Sequence, residues 1–442
     1  MSDTATRTAA GRSDRPPAPA PAPAPVPLRR NAAFIRLWVG AGISRFGATV
    51  GMTAYPLLAL WYTNSAAMTG LVTFAAALPN FLIQLPAGAL VDRWDRRKLM
   101  LWSDLAGALS IAGVALAVFL GHVWIPQLML AAFVEVTRGI FYDLAERATV
   151  RNVVPSEQLS SALAQNEARG AAIGLVGMPG SGLLFMLGRW LPFAFTAVAD
   201  LVAVICLLFL RGDFKPVSAG PARRIHVEIK EGVRWLWQHR FARVLVGMFA
   251  ASNLIFQMLM LTVMVIVRRH GDPAAMVGTV TAVGGIGGLA GALLAPRWTK
   301  RFSLRTTFVV GCSCWSLLIP SIVFVRQAAL LAVVLAGIAL VSGVFNVAAW
   351  TYQVQNTPDE LQGRVNGTGR FLASGANALG GLVAGQLLDS VGIAATGLVI
   401  SVLMLALTAA VTISPTARAQ AREDAARPAE GGSAPEVQPG RA

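Results

Sequence analysis

The sequence GALVDRWDRR at residues 88–97 occurs a second time, in altered form, as GALLAPRWTKR at residues 291–301. Each copy closes a long apolar segment, and the two copies begin 203 residues apart. A second pair has nearly the same offset, since GIFYDLAERATVRNVVPSE begins at Gly139 and GVFNVAAWTYQVQNTPDE begins at Gly343. Two independent pairs at one spacing indicate that the chain consists of two related halves.

The composition indicates that lipid, not water, surrounds most of this chain. It is 55% hydrophobic and only 13% charged, whereas soluble domains carry about 25% charged residues. The formal net charge of +15 would by itself suggest nucleic acid as a partner. The basic residues lie, however, in short clusters between apolar segments of about 20 residues, each long enough to cross about 30 Å of hydrocarbon. We therefore expect a lipid bilayer and no nucleic acid as partner.

The apolar segments predict an all-α membrane protein with twelve transmembrane helices in two pseudo-symmetric six-helix bundles. Several of these segments are rich in glycine, which lets membrane helices approach one another closely. The predicted spans are residues 36–62, 68–90, 99–120, 125–148, 162–187, 191–211, 242–267, 274–296, 304–325, 328–351, 368–388 and 391–413.

The distribution of basic residues predicts the orientation of these helices. Of the 37 lysines and arginines, 30 fall on the same side as the N-terminus. Only four fall in segments on the opposite side: Arg189, Arg268, Arg269 and Arg326. Because cytoplasmic loops carry the excess of basic residues, we predict a multi-pass protein of the cell membrane with both termini in the cytoplasm.

The composition also divides the chain into five parts. Between the two bundles, IHVEIKEGVRWLWQHR can form an amphipathic helix along the inner membrane surface, or it is a plain tether, which we prefer. The parts are a disordered Pro/Ala-rich cytoplasmic arm at 1–30, an N-terminal bundle at 31–211, a cytoplasmic linker at 212–240, a C-terminal bundle at 241–413 and a disordered cytoplasmic tail at 414–442.

The sequence predicts neither a cofactor nor a metal, and no catalytic residue. Cys206, Cys312 and Cys314 have no zinc-type spacing, and the four histidines are scattered. The glycines of GGIGGLAG at 284–291 lie inside a predicted helix with no strand before them, so they do not indicate a nucleotide site. We therefore expect that the protein is not an enzyme.

The two halves, the long central loop and the DRWDRR sequence resemble the major facilitator superfamily. The family pattern at this loop is Gly-x-Leu-x-Asp-Arg-x-Gly-Arg-Arg, and Asp95 stands here in place of the second glycine. The opening NAAFIRLWVGAGISRFG and the stretch FYDLAERATVRNVVPSEQL look like the drug and siderophore exporter branch, which includes enterobactin exporters and macrolide efflux proteins. The resemblance covers about residues 31–413, and the loop residues that match are Gly88, Leu90, Asp92, Arg93, Arg96 and Arg97.

The chain departs from this branch at two motifs. An acidic residue often follows the Ser-x-x-Gly turn of helix 1, but here Ala48 and Thr49 follow Gly47, and Arg45 lies inside the turn. The Gly-Pro motif of helix 5 is altered to Gly-Met-Pro-Gly at residues 177–180.

The loop after helix 2 has two interpretations. In the first it is a conformational latch, with Asp92 at the positive end of helix 11, the neighbour that the resemblance implies. Arg96 or Arg97 would then pair with Asp143 or Glu146 at the inner end of helix 4, but only while the halves are closed on the inner side. In the second the loop is only a topology signal, which requires basic residues but no aspartate. The candidate latch residues are Gly88, Asp92, Arg93, Arg96, Arg97, Asp143 and Glu146.

Ionisable residues deep in spans are candidates for coupling transport to protons, because such residues are costly in lipid. Glu135 lies about ten residues, or roughly 15 Å, into helix 4, and Arg138 follows on the same face. Arg45 lies at similar depth in helix 1, and the resemblance implies that helices 1 and 4 line a central cavity. Two interpretations stay open: a proton and substrate switch, or a static neutral cluster that fixes helix packing. For Asp104 and Asp200, in helices 3 and 6, packing is the preferred role.

The second half offers polar but few acidic candidates. Within its spans the only acidic residue is Asp389, at the outer end of helix 11. Asn253 and Gln257 are four residues apart and share a helix face, so they bind substrate or tie helices together. Asn346 and Asn377 are the other candidates for the substrate cavity.

These features predict a secondary active transporter that exports a hydrophobic or amphiphilic small molecule, such as a drug, antibiotic or siderophore. We expect a monomer that works by alternating access and exchanges its substrate for protons. The direction of transport follows from the family resemblance alone. Two alternatives remain, namely an uncoupled facilitator or importer, and a non-transporting membrane accessory protein.

Overall fold

The computed structural model describes residues 27–210, 234, 237, 240–325, 327–356 and 359–413 of the 442-residue chain. These residues are almost entirely helical, which confirms the predicted fold class. They form α1 (Ala32–Thr63), α2 (Ala66–Leu82), α3 (Gln84–Val91), α4 (Arg96–Phe119), α5 (Ile125–Val153), α6 (Leu159–Leu187), α7 (Leu191–Leu208), α8 (Arg240–Arg269), α9 (Ala274–Arg301), α10 (Leu304–Ser321), α11 (Ala328–Asn356), α12 (Asp359–Ser390) and α13 (Gly392–Ile413).

Each predicted span overlaps a helix, but the second span consists of two. A turn at Ile83 separates α2 from α3. Pro86 explains the break, because proline has no N–H to donate to the carbonyl of Leu82 and its ring clashes with that carbonyl. The second span is therefore interrupted just before the loop that carries Asp92.

Among the described residues, eight helical segments are long and apolar enough to cross a membrane, so the chain is a multi-pass membrane protein. They belong to α4, α6, α7, α8, α9, α11, α12 and α13. The 17-residue helix α2 is apolar but shorter. Helix α5 is less apolar because it carries several charged side chains, and some of these form the candidate site described below. The count of twelve spans stays a prediction.

Short turns join successive helices at one end of the molecule, so neighbouring helices run antiparallel. These turns follow α1, α4, α6, α8 and α12. We call this end the outer end, since the basic residues predict that it faces away from the cytoplasm. The opposite end, which holds the start of α1 and the loop between α3 and α4, is the inner end.

The two halves touch one another near the outer end, through α2 on α12 and α6 on α9. A Cβ atom added at Gly70 of α2 would lie 2.6 Å from the carbonyl oxygen of Gly381 in α12. One added at Gly182 of α6 would lie 2.7 Å from the Cα atom of Ala275 in α9. The absence of side chains at these glycines therefore lets the backbones of the two halves meet.

The glycine-rich stretch at 284–291 has the same function inside the second half. A Cβ atom at Gly287 or Gly291 of α9 would overlap the backbone carbonyls of Ala336 and Leu340 in α11. These glycines therefore pack one helix closely on another.

The predicted arm, linker and tail lie largely outside the described residues. Of the arm, Leu28–Arg30 form a 3₁₀ turn in which Leu28 is buried. Of the linker, Trp237 is exposed, and the guanidinium of Arg243 lies 5.6 Å from its ring centroid. The five-part division of the chain stays a prediction.

Candidate functional site

A buried cluster of charged residues joins four helices of the first half. At its centre is Arg138 of α5, whose Nη1 lies 2.8 Å from Oδ1 of Asp104 in α4 and 3.4 Å from Oδ1 of Asp200 in α7. Its Nε donates to Glu135 at 3.2 Å. The hydroxyl of Ser44 in α1 accepts from Arg138 at 2.8 Å and donates to Asp104 at 3.0 Å. We call these five residues the Arg138 cluster, and each is at most 3% exposed.

Gly107 makes room for this cluster. A Cβ atom at Gly107 of α4 would overlap Cδ of Arg138 and lie 2.6 Å from its Nε. It would also lie 3.3 Å from Oδ2 of Asp200. The guanidinium therefore occupies the space in which any other residue at position 107 would place its side chain.

The Arg138 cluster contains three carboxyl groups and one guanidinium. Oδ2 of Asp104, Oε2 of Glu135 and Oδ2 of Asp200 are buried and have no hydrogen-bond partner among the described residues. Two excess negative charges at this depth would cost several kcal/mol. The arrangement can therefore hold protons. Protonation of two of the three carboxyl groups gives each of those two an O–H that can donate a hydrogen bond, and it makes the net charge of the cluster zero.

The structure brings together only part of the predicted coupling set. Glu135 and Arg138 are partners, as the spacing predicts. Arg45 is not their partner, because it extends to a different level of α5 and pairs with Asp143. Asp104 and Asp200, which we expected only to pack, are partners of Arg138. The sequence signal for both residues was a single acidic side chain in an otherwise apolar helix. Which partner each one meets depends on the rotation of the helix about its axis, and the sequence does not give that rotation.

Arg45 and Asp143 form an ion pair in an open cleft. Nη1 of Arg45 lies 3.2 Å from Oδ1 and 3.4 Å from Oδ2 of Asp143. Both side chains are 45% exposed. The cleft has a volume of about 400 Å³ and lies between α1, α5 and α6. The neighbouring lining residues include Ser44, Thr49, Tyr142 and Met178.

A third pair lies closer to the inner end. Arg169 of α6 donates to Glu146 at 2.7 Å and to the backbone carbonyl of Trp38 at 2.7 Å. Its guanidinium also lies 5.6 Å from the centroid of the Trp38 ring. Both charged side chains are buried, so Glu146 has its arginine from α6 and is not open to the loop after α3.

Arg96 and Arg97 do not pair with Asp143 or Glu146 in this conformation, and the latch requires that pairing only while the halves are closed on the inner side. Arg97 donates to the carbonyls of Leu207 at 2.9 Å and Leu208 at 2.8 Å, at the end of α7. Arg96 lies 3.4 Å from the carbonyl of Ala148 and 3.3 Å from Oδ1 of Asn152, near the end of α5. The last carbonyls of a helix favour cations, so the end of α7 holds Arg97, while Arg45 and Arg169 pair with the acids.

The side chains of Asp92 and Arg93 are exposed and have no hydrogen bond or ion pair with other described residues. A Cβ atom at Gly88 would meet no atom within 4 Å. Asp95, the residue that departs from the family pattern, caps α4 by accepting from the backbone amides of Arg97 and Lys98. The latch contact of Asp92 is not formed in this conformation, and the latch stays a prediction.

A carboxylate does hold the two halves together at the outer end. Asp389, at the end of α12, accepts from the hydroxyl of Ser65 at 2.5 Å and from the backbone amides of Ala66 and Ala67 at 2.9 Å each. It thus sits on the N-terminus of α2, where the helix dipole favours an anion. We call this contact the outer clasp. Sequence reasoning noted Asp389 but assigned it no role, because its partner lies more than 300 residues away.

A second contact lies beside the outer clasp. Nη2 of Arg268 in α8 donates to Oδ1 of Asn64 at 3.0 Å. The guanidinium of Arg268 also lies 5.1 Å from the centroid of the Trp61 ring. One of the four basic residues predicted to face outward therefore bridges the halves.

The polar candidates of the second half take different positions. Asn253 donates to the carbonyl of Phe249 in its own helix. Gln257 packs against α12, where a Cβ atom at Gly380 would lie 3.0 Å from the Cβ atom of Gln257. Asn346 is exposed and Asn377 is partly buried. For Gln257 this position supports a tie between helices, and a role in binding substrate stays a prediction for all four.

Buried charges inside one half of a helical membrane protein, next to open charges in a cleft, are typical of membrane transporters. The chain belongs to the Major Facilitator Superfamily, whose model matches residues 37–381. It is therefore a transporter of a small-molecule substrate rather than an enzyme.

Comparisons with individual proteins agree with this assignment. The chain is 29% identical over 397 residues to the multidrug efflux pump Tap of Mycolicibacterium fortuitum, covering 87% of this chain and 95% of that one. It is 26% identical over 388 residues to the multidrug efflux pump Tap of Mycobacterium tuberculosis strain H37Rv, covering 84% and 90% of the two chains.

Solved structures share the fold at low sequence identity. The crystal structure of the nucleoside transporter NupG aligns with a TM-score of 0.66 at 12% identity, covering 87% of this chain and 98% of that one. A bacterial homologue of the human lysosomal transporter Spinster, in an inward-facing and unoccupied conformation, aligns with a TM-score of 0.67 at 12% identity, covering 88% and 97%.

Proposed function

We propose that this protein exports a hydrophobic or amphiphilic small molecule, such as a drug, antibiotic or siderophore, in exchange for protons. The relatives that cover most of the chain are named as multidrug efflux pumps. An aromatic pair between the halves, Phe81 of α2 stacked on Phe371 of α12 with centroids 4.1 Å apart, gives such a molecule an apolar surface. The protein acts as a monomer in the cell membrane with both termini in the cytoplasm.

The Arg138 cluster is the observation that carries proton coupling. Arg138 also borders the cleft that contains Arg45 and Asp143, so the cluster lies next to a place where substrate can bind. With its carboxyl groups ionised, the cluster has an unbalanced negative charge; with two protons it is neutral. Proton binding and release there change the forces that hold α1, α4, α5 and α7 together, and this links protons to helix movement.

Contacts at opposite ends of the molecule support alternating access. The outer clasp places Asp389 on the N-terminus of α2 and closes the outer end in this conformation. In the other conformation, Asp92 at the inner end contacts α12 and the outer clasp opens. Since the two contacts cannot both form while one end is open, each favours one state.

The test is proton-driven transport by purified full-length protein in liposomes. We expect a pH gradient to drive accumulation of a hydrophobic fluorescent dye, and Glu135→Gln to abolish this while leaving passive exchange. Glu167→Gln is the matched control, because Glu167 is 83% exposed and lies 3.9 Å from Arg147 on the protein surface. Undiminished proton-driven accumulation by Glu135→Gln would remove this residue as the proton carrier.

The same experiment separates the two alternatives. Dye exchange that reaches equilibrium but never exceeds it, with or without a pH gradient, identifies an uncoupled facilitator or importer. No movement of any dye, together with copurification of an enzyme from the native membrane, identifies an accessory protein.

A further inference from the structure

The ion pair of Arg45 and Asp143 differs from the other strong pairs on α5 because it is open. The side chains of Arg138 and Glu146 and their partners are at most 7% exposed, whereas Arg45 and Asp143 are each 45% exposed. A pair that served only to hold helices together would be better shielded from competing groups. This pair instead presents both charges to the cleft.

Both partners have unused capacity for binding a ligand. A single nitrogen of Arg45, Nη1, contacts Asp143, and Nε and Nη2 have no partner among the described residues. A Cβ atom at Gly139, one turn before Asp143, would meet no atom within 4 Å, so there is open space beside the carboxylate. Tyr142 also lines the cleft, but its hydroxyl is buried, so the open capacity belongs to Arg45 and Asp143.

The charge of the pair selects among ligands. A ligand with one charge binds one partner and competes with the existing pair, which leaves the other partner without its counter-ion in a half-buried site. A ligand with both charges replaces one ion pair by two, and neither protein charge loses a partner. A second hydrogen bond to a charged group therefore adds about tenfold in affinity.

We infer that the cleft binds zwitterionic amphiphiles, with the anionic group of the ligand on Arg45 and its ammonium group on Asp143. Thr49 and Met178 form adjacent walls for the less polar part of the molecule. As a statement about the exported substrate, this inference rests on the proposed function; as a statement about binding, it does not.

The test uses four probes built on one fluorescent body. Nε-dansyl-lysine is a zwitterion, its methyl ester is a cation, its Nα-acetyl derivative is an anion, and the acetylated ester is neutral. Binding to purified full-length protein is measured by dansyl fluorescence. Variants are Arg45→Gln, Asp143→Asn and the charge-reversed double variant Arg45→Asp with Asp143→Arg. Arg147→Gln is the matched control, since it removes an exposed arginine of α5 that pairs with Glu167 outside this cleft.

The wild-type protein and Arg147→Gln are expected to bind the zwitterion about tenfold more tightly than the other three probes. Arg45→Gln shifts the preference to the cation, and Asp143→Asn shifts it to the anion. The charge-reversed variant binds the zwitterion tightly again, because the same probe can bind the exchanged charges in the opposite orientation. A general loss of folding would not produce opposite preferences in the two single variants.

Two results would overturn the inference: absence of saturable zwitterion binding by the wild-type protein, or a zwitterion preference that survives both Arg45→Gln and Asp143→Asn. Proton-driven accumulation of an uncharged dye in liposomes is measured on the same preparations. If that transport persists while all four probes bind with equal affinity, the inference fails and the proposed function stands. If the probes bind as expected but nothing is transported against its gradient, the proposed function fails.

Discussion

At the scale of single residues, the central feature is one arginine that forms ion pairs with three acidic residues. Arg138 contacts Glu135, Asp104 and Asp200, and so connects α5 to α4 and α7. This requires that position 107 carry no side chain. The glycine is thus part of the charge cluster although it has no functional group.

Gly107→Ala is expected to displace the Arg138 guanidinium and to lower the free energy of unfolding by about 1–3 kcal/mol, the usual cost of overpacking. The thermal unfolding midpoint of the detergent-solubilised protein measures this loss. Gly113→Ala is the matched control in the same helix, because its Cβ would have only Nε2 of Gln127 nearby, at 4.0 Å. Equal midpoints for the two variants would contradict the packing that we describe.

Sequence reasoning located part of this cluster. The spacing of Glu135 and Arg138 on one helix predicts their contact, because residues three apart are neighbours on the helix surface. The contacts to Asp104 and Asp200 depend on how three helices rotate about their axes. A sequence without an alignment gives no measure of that rotation, and the same limit led us to expect Arg45 near Glu135.

At the scale of elements, the loop between α3 and α4 divides its acids between two tasks. Asp95 accepts hydrogen bonds from two backbone amides and caps the N-terminus of α4. Asp92 follows α3 and is exposed. The family pattern predicts the role of Asp92, whereas general capping chemistry accounts for Asp95.

Asp95→Ala is expected to lower the stability of the protein by about 1 kcal/mol, the typical effect of losing an N-cap. Asp95→Asn should retain most of the cap, since asparagine accepts the same hydrogen bonds. Chemical unfolding monitored by tryptophan fluorescence would test the difference. An alanine variant as stable as the wild type would mean that the cap contributes nothing.

Asp92→Asn is expected to have the opposite profile, with lower transport and unchanged stability and membrane insertion. The physical reason is that the side chain contacts its partner only in the conformation closed at the inner end. Initial rates of dye transport in liposomes, normalised to the amount of inserted protein, provide the measurement. Normal rates in this variant would remove the latch.

The helices themselves were the part most open to prediction. Every span predicted from a long apolar segment overlaps a helix, because a backbone in lipid must satisfy its own hydrogen bonds. Their ends were less predictable. Helix α5 continues to Val153, past the predicted end at residue 148, because polar residues continue a helix beyond the hydrocarbon without an apolar signal. The break at Ile83 lies inside a long apolar segment, and the sequence signal for it is Pro86.

At the scale of the whole molecule, the two halves meet at the outer end through the outer clasp and through glycines. The clasp is a charge on a helix end, and at an exposed residue such as Asp389 this contributes about 0.3–1 kcal/mol. A contribution of this size shifts a two-state equilibrium by about two- to fivefold. The duplication visible in the sequence predicts two halves, but not which end of the interface is closed.

Asp389→Asn is therefore expected to shift the protein toward the state that is open at the outer end. The amide loses the charge that favours the N-terminus of α2, while its size is nearly unchanged. Outward-open molecules should expose Ala67, which contacts Asp389 through its backbone amide, so a cysteine placed there becomes more reactive to a water-soluble maleimide. Unchanged reactivity in Asp389→Asn would show that the outer clasp does not set the equilibrium.

The most direct test of the account measures both ends at once. Spin labels at His122 and His270 report the distance between the halves at the outer end, and labels at Lys98 and Lys300 report it at the inner end; all four residues are exposed. The background lacks Cys206, Cys312 and Cys314, and distances are compared with Asp389 intact and with Asp389→Asn. We predict that the outer distance lengthens while the inner distance shortens. Both distances lengthening together, or the outer one changing alone, would contradict a molecule that works by closing one end as it opens the other.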